Sequence, residues 1–163
     1  MAVKFNEKRY LVMFAIIIGL IAFLAYQDIV GANLWGLIGG WEGTAYKTAM
    51  PIYLQQFWIF SFMLGIVLAG VYYLFRRDKS ETLAIFASFT VLVLSGLEDI
   101  FYYLFRGLPL DATLPWLNNN FYIMGVSKLI GLSTVTKESL IISVISGFII
   151  TYFIMKKLKR AKW

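Results

Sequence analysis

The sequence predicts an all-α integral membrane protein: a four-transmembrane-helix bundle with a long outer loop and an interfacial or re-entrant helix at 121–136. Three observations predict it. Hydrophobic residues make up 60% of the chain and the mean hydropathy is +0.75, well above the roughly 45–50% apolar usage of soluble domains. Four apolar runs are each long enough for a hydrocarbon core of about 30 Å, which takes roughly 17–25 residues per helix. The basic residues gather at one set of span ends, as the positive-inside rule describes. A length of 163 residues suits a single membrane domain, residues 1–163.

The first run, Tyr10–Tyr26, is long for the apolar stretch of a signal peptide, and no small-x-small pattern follows it before a soluble segment. It is expected to be retained as a spanning helix over about 10–26. The second, Phe57–Phe75, predicts a helix over about 53–75, with Pro51 suited to a helix start because its φ is already fixed there. The third predicts a continuous helix over 82–105, interrupted in polarity by Glu98 and Asp99. The fourth, Ser139–Met155, predicts a helix over about 138–155. Phe121–Val135 is apolar too, but it carries Lys128, Gly125 and Gly131, and a fifth crossing would send the Lys156–Lys162 cluster to the outer side. It is therefore expected to lie at the interface or re-enter without crossing.

Lys4, Lys8, Arg9, Arg76, Arg77, Lys79, Lys156, Lys157, Lys159, Arg160 and Lys162, eleven of the 15 basic residues, fall on one side of this topology. Lys47, Arg106, Lys128 and Lys137 fall on the other. The expected location is the cell membrane, multi-pass, with both termini cytoplasmic. The net charge of +6 is explained by this clustering, so no nucleic-acid partner is expected. The outer connections, Gln27–Gln56 and Arg106–Glu138, are long, whereas Arg76–Glu81 is a tight inner turn.

Helices pack in lipid through small residues, because lipid tails impose no hydrophobic penalty on their separation. The expected inward stripes are Ala15, Gly19, Ala22 and Tyr26 in the first span and Ser61, Gly65 and Ala69 in the second. In the fourth they are Ser139, Ser143, Ser146 and Gly147. In the third, Ala84, Ser88, Ser95, Asp99 and Arg106 share one face, which points Asp99 into the bundle. Glu98 lies about 100° further round an unbroken helix, so the two carboxylates share a direction only if Gly96 distorts it.

The chain has no Cys and no His, which excludes disulfides, thiolate nucleophiles, His-ligated haem and His-bearing zinc sites. No cofactor or metal is expected. The chemistry left belongs to carboxylates, Lys, Arg, Tyr and hydroxyls. Intramembrane ionisable groups are costly and usually serve a purpose, so Glu98 and Asp99 are the candidate catalytic pair. The competing assignment is a buried ion pair with Arg106 or Lys128 that fixes helix packing. Tyr102 and Tyr103 are placed to donate to the carboxylates, and Arg106 either neutralises one or snorkels to the interface. Trp41 and Glu42, in Gly39-Gly40-Trp41-Glu42-Gly43, read either as a loop folded over a cavity or as a glycine turn with an interfacial Trp. Trp116 and Asn119, after Pro109 and Pro115, carry the same two readings. Gln55 and Gln56 either face the carboxylates or mark the headgroup boundary.

Leu97-Glu98-Asp99-Ile100-Phe101 resembles the acidic-pair-then-Phe element of membrane-embedded lycopene cyclases, over five residues, with Gly96 or Leu97 where that element has a proline. The resemblance implies proton transfer on a lipid-like substrate. The aspartate motifs of membrane prenyltransferases and CDP-alcohol transferases are absent.

The expected function is therefore handling of a lipid-like or small amphipathic molecule by proton transfer, in an isomerase- or cyclase-like manner, in an outward-facing cavity around Glu98 and Asp99. The alternatives are a non-catalytic accessory or assembly subunit and, last, a small transporter or channel. Expected partners are membrane lipids, a lipid-like substrate, and a second copy of the chain or a membrane partner subunit.

The charge asymmetry makes a direct prediction: tags at both termini are reached by impermeant reagents only from the cytoplasmic side. A C-terminal tag labelled from outside would overturn the topology and imply that Phe121–Val135 crosses the bilayer.

Overall fold

The computed structural model describes residues 7–37 and 43–158, with side chains described over 11–33 and 55–157. It is all-helical: α1 (Glu7–Leu37), α2 (Gly43–Arg76), α3 (Lys79–Leu94), α4 (Leu97–Arg106), α5 (Phe121–Leu129) and α6 (Lys137–Leu158), with a 3-10 turn at Pro115–Asn119. Among the described residues the extended contribution is a single antiparallel bridge, Thr113 to Thr136. Three helices are long and apolar enough to cross a membrane, over Leu11–Asn33, Gln55–Arg76 and Lys137–Lys157. The count rises to four if α3 and α4, bent by 59° at their junction, form one span.

The third span is thus not the continuous helix expected from its hydropathy. α3 ends at Leu94 because Gly96 takes a left-handed conformation, φ +84°, before α4 begins. At about 1.5 Å per residue the two pieces measure about 24 and 15 Å, so a 59° bend leaves a combined rise of about 30 Å. The bent pair therefore still matches one hydrocarbon thickness.

The long outer loop expected over Gln27–Gln56 is also largely helical. α1 continues to Leu37 and α2 starts at Gly43, so their lengths of 31 and 34 residues exceed what a bilayer core requires. Pro51 lies inside α2 and not at its start, because no further glycine or proline interrupts the run from Thr44 to Met50. Residues 38–42, with Trp41 and Glu42, lie outside the described residues. α5 is a nine-residue helix, about 13 Å long and too short to cross, ending in a turn at Gly131 with φ +82°. Arg76, Arg77, Asp78 and Lys79 form the tight connection, where the Asp78 carboxylate accepts from the Glu81 backbone N–H and caps α3.

α3 is the central element, packed on α2, α6 and α1, while α4 lies along α1 and α5 along α6. The core joins Ile17, Ile21 and Leu24 of α1 to Ile85, Phe89 and Leu92 of α3, Ile123 of α5 and Leu140 of α6. Large apolar side chains cover the outside, among them Leu11, Ile59, Met63, Val67, Leu74, Leu104, Ile145 and Phe153. Hydrocarbon accepts such a surface and water does not.

The inward stripes hold for three elements. Ser61, Gly65 and Ala69 are buried, as are Ser139, Ser143 and Gly147, with Ser146 partly so. Ala84, Ser88 and Ser95 are buried on α3, but across the bend Asp99 is half-buried and Arg106 exposed. α1 corrects the expectation: Ala15, Gly19 and Tyr26 are exposed, and its inward face is Met13, Ile17, Ile21, Leu24 and Ala25. That face meets α3 and α4 through side chains bulky enough to fill the space, so no small-residue approach is needed there.

Close approach is real at two glycines. A Cβ on Gly147 would stand 2.7 Å from Ser95 Cβ, and one on Gly65 would stand 2.9 Å from the Phe89 ring. Gly19 has nothing within 4 Å. Gly147→Leu and Gly65→Leu are expected to cost about 1–3 kcal/mol or more through overpacking, whereas Gly19→Leu leaves stability unchanged. Thermal melts of the three variants in detergent check this; equal melting of Gly147→Leu and Gly19→Leu would contradict it.

Candidate functional site

Breaking a helix in mid-span strands backbone carbonyls that would otherwise accept from the next turn. Two side chains take them over. Asn120 Nδ2 donates to the Leu94 carbonyl at 2.9 Å, and Ser143 Oγ donates to the Ser95 carbonyl at 2.9 Å. Ser95 Oγ turns back to the Leu92 carbonyl, and the Ile100 N–H reaches Gly96 O to start α4. Asn120 also caps α5, its Oδ1 accepting from the backbone N–H groups of Tyr122 and Ile123. Gly96 fits by space as well as by φ, since a Cβ there would lie 2.4 Å from Leu140 and 2.9 Å from Ile123. The junction is therefore held by α5 and α6.

The bend sets Glu98 and Asp99 in the first turn of α4, where the helix macrodipole favours negative charge. Glu98 is buried, 5% exposed, and among the described residues its Oε1 has no hydrogen-bond partner. Asp99 Oδ1 accepts from Trp116 Nε1 at 3.4 Å, a long bond. Asp28 of α1 joins them: each of the three carboxylates lies close enough to the other two to interact electrostatically. Sequence reasoning missed Asp28 by ending the first span at Tyr26. The signal was present, because Ile17, Ile21, Leu24 and Asp28 follow the helical spacing of the face that α1 buries.

The remaining candidates divide. Trp116 reaches the pair and stacks on Tyr103, with ring centroids 6.5 Å apart and planes at 18°. Tyr103 itself donates to Asp111 Oδ2 at 2.6 Å instead of to Glu98 or Asp99. Tyr102 accepts from Arg106 Nη1 at 2.8 Å, and the exposed guanidinium lies over the Tyr102 ring. Arg106 thus turns away from the carboxylates. Lys128 is exposed on α5, and Lys137 pairs with Glu138 at 3.9 Å. Among the described residues neither Glu98 nor Asp99 makes an ion pair, so the expected structural pair with Arg106 or Lys128 is not formed. Gln55 and Gln56 stand exposed at the start of the α2 apolar span. Asn119 is exposed, while its neighbours hold the loop: Asn118 Oδ1 accepts from Thr134 Oγ1 and the Val135 N–H.

Among the described residues no group of three His, Cys, Asp or Glu is arranged to hold a metal ion. A shallow cleft opens between α2 and α3, lined by Trp58, Ser61, Phe62, Phe89, Thr90, Val93 and Leu94. It is apolar and does not include the carboxylates.

Asn120→Ala is expected to destabilise the protein by about 2–3 kcal/mol, since it strands the Leu94 carbonyl and uncaps α5 together. Asn119→Ala is expected to fall within about 0.5 kcal/mol of the parent. Denaturation of both variants in mixed micelles measures the difference, and equal losses would show that the junction does not depend on Asn120.

No family model, no curated protein and no solved structure matches this chain.

Proposed function

We propose that this chain is a four-span membrane protein that binds a lipid-like or small amphipathic molecule at Glu98 and Asp99 and moves a proton to or from it. The observation that carries the reading is the buried, unpartnered Glu98 Oε1 beside two further carboxylates at a break in the third span. Purely structural carboxylates in such a place would be expected to pair with a cation or with backbone N–H groups. Glu98 Oε1 lies instead where an incoming donor or proton would supply the missing partner. In the chemistry this suits, one carboxyl carries the proton that is transferred and the other stabilises positive charge on the substrate.

A second reading is favoured by one observation. Glu98 is only 5% exposed and the α2–α3 cleft lies elsewhere, which suits an accessory or assembly subunit whose exposed apolar faces meet partner helices.

Glu98→Gln and Asp99→Asn separate the two. Each keeps the side chain's shape and removes a titratable proton. Both relieve crowding of like charge, so the variants are expected to melt at or above the parent temperature while losing co-purified lipid. Thermal stability and lipid content of the purified variants are the measurements. Lipid content unchanged in both variants, at whatever melting temperature, overturns the reading and leaves the accessory subunit.

A further inference from the structure

We infer that the Glu98–Asp99 site takes the protonated amine of a lipophilic molecule, whose N–H donates to Glu98 Oε1 while its hydrocarbon follows the apolar face of α4. This rests on the proposed binding role of the pair and names the ligand's chemistry.

Four features lead to an ammonium. Glu98 is 5% exposed and Oε1 lacks any donor, so a ligand there must bring one. The neighbouring Asp99, which makes no ion pair among the described residues, adds a second carboxylate beside Glu98, which favours a positively charged donor over a neutral hydroxyl. Among the described residues no Lys or Arg ion-pairs with Glu98 or Asp99, and Arg106 and Lys137 are engaged elsewhere. The stacked Tyr103 and Trp116 rings adjoin Asp99 and present the π-systems that an ammonium accepts.

The lack of a metal-holding arrangement among the described carboxylates points away from a divalent ion. The exposed Leu104 and Phe105, on the same short helix, offer the hydrocarbon portion a surface continuous with lipid. A free alkylamine and the headgroup of an ethanolamine lipid share this chemistry. A quaternary ammonium does not, having no N–H for Oε1.

The test uses the purified full chain in maltoside micelles and calorimetric titration with dodecylamine, dodecyltrimethylammonium and dodecanol. Dodecylamine is expected to bind about tenfold or more tightly than either of the others, as a charge-assisted hydrogen bond would give. Glu98→Gln is expected to abolish that preference, while Ser88→Ala, which removes another buried hydroxyl without a partner, keeps it. Adding phosphatidylethanolamine or phosphatidylcholine identifies the source. Displacement of dodecylamine by the former alone assigns the headgroup, and displacement by neither assigns a free amine.

Dodecanol or dodecyltrimethylammonium matching dodecylamine, or a preference that survives Glu98→Gln, overturns the inference. Should Glu98→Gln fail to fold, the three-ligand comparison on the parent decides alone. A loss of co-purified lipid in Glu98→Gln with all three ligands binding alike would sink the amine and leave the proposed function standing. Lipid unchanged in both Glu98→Gln and Asp99→Asn, with all three ligands binding alike, would sink both.

Discussion

Everything around α4 and α5 depends on satisfying the backbone where α3 breaks into α4. An unpaired carbonyl in hydrocarbon costs several kcal/mol, so a broken helix persists only where other groups replace the lost bonds. Here the replacements come from two different elements, Asn120 before α5 and Ser143 on α6. That requirement explains why α5, too short to cross, is nevertheless packed along α6 with Ile123 fully buried. The short helix acts as a bracket for the break.

Gly96 ties the same junction to side-chain packing. Leu140 and Ile123 occupy the space a Cβ would need, so the left-handed residue is enclosed by the two elements that supply the replacement hydrogen bonds or their caps. Local conformation, tertiary packing and polar satisfaction all converge on three consecutive residues, Leu94 to Gly96. Such agreement between levels is what gives a sequence one folded state. One consequence is positional. Glu98 and Asp99, consecutive in α4 and so still about 100° apart around it, both fall in the first turn of a segment that packs along α1.

How legible this was in the sequence varied with the kind of information each feature needs. Span existence follows from local hydropathy, and the candidate spans near 10–26, 53–75 and 138–155 are found close to those places. The buried stripes Ser61, Gly65, Ala69 and Ser139, Ser143, Gly147 were legible because small residues at helical spacing have few other uses in an apolar helix. α1 was misread for the converse reason: its small residues Ala15 and Gly19 face outward, and periodicity alone does not say which of two apolar faces finds a neighbour. Hydropathy also hid the break, since Ser95-Gly96 barely lowers the average over a 24-residue run. It hid Asp28 too, because polarity was taken to end the first span. The carboxylate pair was visible in the sequence, but its third member and its indole donor are 71 residues before and 17 after Asp99, and only the tertiary structure brings them together.

The energetics of the carboxylates then limit what they can be doing. Burying a carboxylate beside others of like charge is unfavourable, and the compensation at Glu98 and Asp99 within the described residues is modest: the α4 dipole and, at Asp99, a backbone N–H and one long indole bond. A structural lock would be expected to close such a gap with Arg106, which sits only two turns away, yet that guanidinium lies over Tyr102 and faces outward. Tyr103, whose hydroxyl might have capped a carboxylate, donates instead to Asp111. The surrounding groups are thus arranged so that they leave Glu98 Oε1 open. An acceptor kept open at the centre of a tightly satisfied junction is costly in stability, and such costs concentrate where a site must receive something from outside the chain.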